Sequence, residues 1–160
     1  EFNNWLDDLS LNNPAAFDAY LFGEWDGTGE YGGDSYTMDI TYSYDYSMAQ
    51  EAFNLLNQER LNNGLTAYEW DSEMATYSDR RAQEIVIDFS HNSTGGKWNV
   101  GENIGKGQTT ASKIVSAWMD SDGHRANILS TTSTKASLSC YVEKEGNRIS
   151  NVYWVANFRY

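Results

Sequence analysis

The stretch that most constrains the fold is residues 138–158, where two runs of strict alternation flank a short turn. Leu138, Cys140 and Val142 share one parity of the first run, and Val152, Trp154, Ala156 and Phe158 share one parity of the second. A period of two puts alternate side chains on one face of a strand, and Glu145-Gly146-Asn147 supplies the turn, so the runs predict an antiparallel hairpin. An isolated hairpin is marginal in water, so the rest of the chain must supply cover. Cys140 is the one cysteine, which excludes an internal disulfide, and its place on the apolar parity predicts a buried core thiol.

The cover is helical. Ser47-Met48-Ala49-Gln50 reads as a capping box that opens a helix with Ala49, Ala52, Phe53 and Leu56 on one stripe, closed by Asn62-Asn63-Gly64. Residues 66–70 form a short extended link. Asp71 or Ser72 then caps a second helix with inward positions Ala75, Ala82, Ile85, Val86 and Phe89. It must stop near Phe89, because residues 90–96 are rich in Ser, Asn and Gly. Residues 100–105 read as a loop. Thr109 or Thr110 caps a third helix carrying Ala111, Ile114, Val115 and Trp118, ended by Asp120-Ser121-Asp122-Gly123, with one further turn over 126–129. Helices followed by a hairpin, without regular strand–helix alternation, define the α+β class. At 160 residues, with 40% hydrophobic residues, one core domain is expected.

The N-terminal part has a different character. Every even position from Tyr36 to Met48 is large and apolar, which predicts a strand whose unusual length implies a bend or an early end. It reads as an added edge strand, or as an arm laying its aromatic face on the main domain or on a partner. Upstream, a short helix is expected over residues 14–22 and a glycine-rich acidic loop over 24–34. Asp26, Thr28 and Glu30 in that loop have calcium-binding chemistry but lack the EF-hand spacing, so a solvated loop is the preferred reading. Residues 1–48 hold ten of the 23 acidic residues and none of the 11 Lys and Arg. The composition therefore divides the chain into an acidic, tyrosine-rich extension over 1–47 and a near-neutral domain over 48–160. A net charge of −12 without a basic patch argues against nucleic acid or anionic lipid as a partner, and no apolar run reaches the roughly 20 residues of a membrane-spanning helix. The chain starts at Glu1 without a signal-like segment, which reads as a mature or trimmed form.

Its only histidines are His91 and His124, and Glu102 lies between them in Val100-Gly101-Glu102-Asn103-Ile104-Gly105. A carboxylate framed by two imidazoles on polar, glycine-flanked segments suits a metal or acid/base site. Two surface histidines and a capping glutamate are the alternative, since these spacings match no local metal motif.

Several ordered segments bear on that choice. Asn57-Gln58-Glu59-Arg60, Trp70-Asp71, Phe89-Ser90-His91, Gly101-Glu102-Asn103-Ile104, Ala117-Trp118-Met119, Gly123-His124-Arg125-Ala126-Asn127-Ile128-Leu129 and the final Tyr153-Trp154 strand occur in one order. In that order the chain resembles the CAP superfamily (cysteine-rich secretory proteins, antigen 5 and pathogenesis-related proteins), in its bacterial SCP-like branch, over about residues 48–160. The resemblance implies a three-layer α-β-α sandwich with a central antiparallel sheet and a cleft holding two histidines and two glutamates. His91 and His124 take the histidine places and would hold Zn2+ or another divalent ion, and Glu102 takes the first glutamate place. The second glutamate place, three residues after the helix tryptophan, is Ser121. Asp120 or Asp122 could restore the charge there, or Ser121 could reach a metal-bound water. Eukaryotic members' disulfides are missing, and Ser130-Thr131-Thr132-Ser133-Thr134 does not match their aromatic sterol-binding loop.

The implied function is a secreted, extracellular or cell-surface domain whose cleft takes a metal and a peptide, glycan or small-molecule ligand. A metal-dependent, peptidase-like hydrolase is a second expectation, with Glu102 as general base; Glu102 as an acceptor that orients an imidazole is the alternative role. A third is a cell-envelope or spore-associated interaction protein using the tyrosine-rich arm.

Overall fold

The computed structural model describes residues 39–160. Residues 39–92 and 98–160 form one compact unit, which contains every element named below. The helix expected over 14–22, the acidic loop over 24–34 and the start of the alternating run at Tyr36 lie outside the described residues.

The C-terminal hairpin is the centre of the molecule. Strands β4 (Lys135–Glu145) and β5 (Arg148–Arg159) pair antiparallel through a two-residue turn in which Gly146 takes φ 58°, a left-handed conformation that favours glycine. Strand β3 (Gly101–Lys106) pairs antiparallel with the outer side of β5. The far side of β4 is shared: β1 (Ile40–Tyr44) pairs antiparallel with residues 141–145, and the two-residue β2 (Glu69–Trp70) pairs parallel with Lys135 and Ala136. The alternating run thus becomes an edge strand that ends early, at Tyr44. Tyr46 and Met48, expected in the strand, belong instead to helix α1 (Tyr46–Asn62), whose N-cap is Asp45, accepting from the Met48 amide at 2.9 Å, rather than Ser47.

Helices cover both faces of the sheet. On one face α1 packs with α3 (Ala111–Met119) and α4 (Asp122–Ile128); Ala49, Ala52, Phe53, Leu56, Ile114 and Trp118 meet Leu138, Cys140, Val142, Val152, Trp154 and Phe158. On the other face α2 (Ser72–Ile87) lies over β4 and β5, with Ala82 and Ile85 against Ile104, Tyr153 and Val155. The result is an α-β-α sandwich, and β5 reads as near-continuously buried because both its faces are covered. Cys140 is buried in the core, and burial, aided by Asp45, pushes its thiol up to about 12. No helix of the described residues is long and apolar enough to cross a membrane.

Several expectations shift. Asp71 caps α2 as read, accepting from the Met74 amide at 3.0 Å, but the helix ends at Ile87 and Phe89 is 49% exposed instead of facing inward. Residues 101–106, read as a loop, form β3; glycine and asparagine are poor strand formers, and pairing with buried β5 overrides that local preference. The stretch expected to end α3 contains the start of α4, with Ser121 at its N-cap.

Two polar side chains tie the helices on the first face together. The Arg60 guanidinium is buried, donates to the carbonyls of Thr66, Ile128 and Ser130 at 2.7–2.8 Å, and lies 3.6 Å above the Tyr68 ring. Trp118 donates its indole N–H to the Ile104 carbonyl at 3.1 Å, fixing α3 against β3. That approach is possible because β3 carries Gly105, where an added Cβ would lie 2.2 Å from Ile114 Cδ1 in the core. Gly105→Ala is therefore expected to lower stability by about 1–3 kcal/mol through overpacking, read as a lower urea midpoint with an unchanged slope.

Candidate functional site

The site is built on the register of β3. Glu102 lies opposite Asn157, and Asn157 lies opposite Ser137, so three polar side chains form a row across the sheet on the α2 face. Helix α2 meets that row with polar groups of its own. Ser78 Oγ is 2.6 Å from Ser137 Oγ and 2.8 Å from Asn157 Oδ1, and Arg81 reaches Glu102 with Nε at 2.9 Å and Nη2 at 3.0 Å. Glu102 also accepts from Asn157 Nδ2 at 3.2 Å and pairs with His91 Nδ1 at 2.9 Å. Its side chain is 8% exposed. Burial alone would push this carboxyl up, but the bonds from Arg81 and His91, the Arg81 charge and the Asn157 bond outweigh it and hold it below its ordinary value.

An ionised carboxylate only accepts, so the bond to Glu102 puts a proton on His91 Nδ1, and in a neutral ring the lone pair is then on Nε2. His91 follows α2 directly and is half exposed, so Nε2 is available to solvent or a ligand.

His124 comes from the opposite layer, on α4. Asn103, one residue beyond Glu102 and pointing to the other face, donates to the His124 carbonyl at 3.0 Å and accepts from Asn127 Nδ2 at 2.9 Å, which pins α4 to β3. Burial first, and the nearby His91 second, lower the His124 pKa, so its imidazole is neutral near pH 7. Ser121 begins the same helix without a side-chain capping bond. Asp120 closes α3, and Asp122 points outward, 95% exposed and paired with Arg125.

The structure thus joins His91 to Glu102 directly, brings His124 into electrostatic reach of His91, and puts Ser121 at the start of the helix bearing His124. Among the described residues no group of three or more His, Cys, Asp and Glu is arranged to hold a metal ion. Glu102 has both oxygens occupied by N–H donors. These residues therefore do not offer a site with three protein ligands.

Residues 53–158 match the sequence profile of the cysteine-rich secretory protein (CAP) family. The chain belongs to the CAP family. The CAP domain is 32% identical over 109 residues to the uncharacterized protein YkwD of Bacillus subtilis, an alignment spanning 59% of this chain and 42% of that relative. Its fold is similar to that of an outer surface protein from Borrelia burgdorferi, with a TM-score of 0.60 at 15% identity over 74% of this chain and 97% of that one. It is also similar to an extracellular SCP-domain protein from Bacillus anthracis (TM-score 0.58, 21% identity, 72% of this chain, 41% of that one) and to a cysteine-rich secretory protein from Staphylococcus aureus (0.56, 16%, 71%, 39%).

The residues that support Glu102 and the segment of His124, namely Arg81, Asn157, Asn103 and Asn127, were given no role from the sequence. Arg81 did leave a signal: it falls on the stripe between Ser78 and Ile85, where a charged residue must find a buried partner. The pH response of the CAP domain follows from the pKa directions. A folded-state His124 pKa lowered from 6.5 means that the unfolded chain takes up the proton first, so stability falls as pH drops from about 6.5 toward the lowered value. Glu102, lowered from 4.5, contributes stability above 4.5 that is lost at more acid pH. His124→Gln is expected to flatten the first window and leave the second, measured by urea midpoints across pH.

Proposed function

We propose that this CAP domain is an extracellular ligand-binding module whose recognition group is the pair of imidazoles, His91 and His124. The single observation that carries this reading is the saturation of Glu102, whose two oxygens accept from Arg81, Asn157 and His91. A general base needs a lone pair aimed at the proton it removes, and a carboxylate held below its ordinary pKa is a weak proton acceptor. Glu102 serves better as the acceptor that fixes the His91 tautomer. The resemblance to an outer surface protein and an extracellular protein supports placing the module outside the cell.

Two neutral imidazoles are suited to a divalent ion such as zinc, with the remaining coordination positions left for water or for oxygen or nitrogen atoms of a peptide, glycan or small molecule. The bound ion would supply Lewis acidity and a fixed point of attachment. Calorimetric titration with zinc is expected to show one site in the wild type and none in His91→Ala or His124→Ala. Glu102→Gln should weaken it about 10–100-fold. Equal heats in all four proteins would sink the metal reading. Divalent-dependent turnover of a peptide library by the wild type, abolished in Glu102→Gln, would replace the binding module with a hydrolase.

A further inference from the structure

We infer that Arg81 is the positioning residue of the site: one buried guanidinium fixes both the hydrogen-bond acceptor of His91 and the backbone on either side of its ring. The inference rests on reading His91 as the ligand-facing group, and its evidence is geometric. Arg81 is fully buried, with 0% exposure, and a guanidinium has five N–H donors. Nε and one Nη2 proton go to the two oxygens of Glu102. The second Nη2 proton goes to the Ser90 carbonyl at 2.7 Å, and the Nη1 protons go to the Asn92 carbonyl at 2.6 Å and to Glu84 Oε2. Every donor has a partner, and the two carbonyls are those immediately flanking His91.

The bonds within this segment are short-range. Ser90 donates its amide to the Asp88 carbonyl and its hydroxyl to the Asp88 carboxylate, and the Asn92 amide donates to Ser90 Oγ. Such bonds shape a turn without docking it. Arg81 docks it from both sides of His91, and its own position is set by the rigid helix α2. One planar fork therefore ties Glu102 of β3 and the turn to α2 and, through Glu102, holds the imidazole in its Nδ1–H form. Lysine cannot repeat this arrangement, because an ammonium has three donors from one point and cannot address two carboxylate oxygens and two separated carbonyls together.

The test uses nitrogen NMR of the whole chain at about pH 8, above the ordinary histidine range. In the wild type His91 is expected to show one protonated and one bare nitrogen, and Arg81 to show resolved, slowly exchanging Nη signals. In Arg81→Lys the two His91 nitrogens are expected to average, while the indole N–H signals of Trp118 and Trp154, bonded to the Ile104 and Gln108 carbonyls, stay in place as evidence of an intact fold. A locked His91 in a folded Arg81→Lys protein would overturn the inference. Should that variant fail to fold, the wild type decides: a freely rotating guanidinium or an averaged His91 ring overturns it, and a locked pair upholds it. None of these readouts needs a ligand. Loss of zinc binding in the wild type would defeat the functional reading and leave the positioning role standing, and the reverse result would separate them the other way.

Discussion

The ion pair between Arg81 and Glu102 is the interaction on which the second half of this molecule depends. Both side chains are withdrawn from water, and desolvating two charges costs several kcal/mol each unless attraction and hydrogen bonds replace what hydration gave. Here the replacement is complete on both sides: burial opposes the Arg81 charge, yet its bonds to Glu102 and Glu84 raise its pKa, and the same bonds keep Glu102 ionised. A pair satisfied to this extent is costly to break from one side, since the survivor is left charged and buried. The polar row Glu102, Asn157 and Ser137 follows from it, because each member of the row must find partners once the sheet is covered by α2.

The two faces of the sheet are built on different principles. The face under α1, α3 and α4 is an apolar core organised by two large indoles and sealed by Arg60 over Tyr68. The face under α2 is mixed: a small apolar cluster around Ile85 and Val155 continues into the buried polar network. Apolar packing tolerates adjustment, whereas a hydrogen-bond network with fixed donors admits fewer arrangements. The half of the sandwich that holds Glu102 is thus the half held by directional forces.

This division also marks what the sequence made legible. The stripe of α1, the stripe of α3 and both strands of the hairpin are local periodic patterns, and each formed as read because apolar burial at fixed spacing is a local signal. Strand β3 was illegible because Gly101, Asn103 and Gly105 carry no strand preference and the pairing that makes them a strand comes from residues more than forty positions away. Helix α4 was obscured by Gly123 within it and by aspartates that resemble a helix end. The roles of Arg81, Asn103 and Asn157 depend on register and on helix docking, neither of which is written in any one segment.

His91 and His124 are contributed by opposite layers, one following α2 and the other on α4, with β3 between them. Anything held by both rings is consequently a strut between the two layers, anchored on the polar half and the apolar half at once. Opening either layer would require releasing it. Occupancy at one hundred times the dissociation constant would add about 2.7 kcal/mol to the stability of the whole sandwich. On the proposed ligand-binding reading, the melting temperature of the entire domain would report that occupancy.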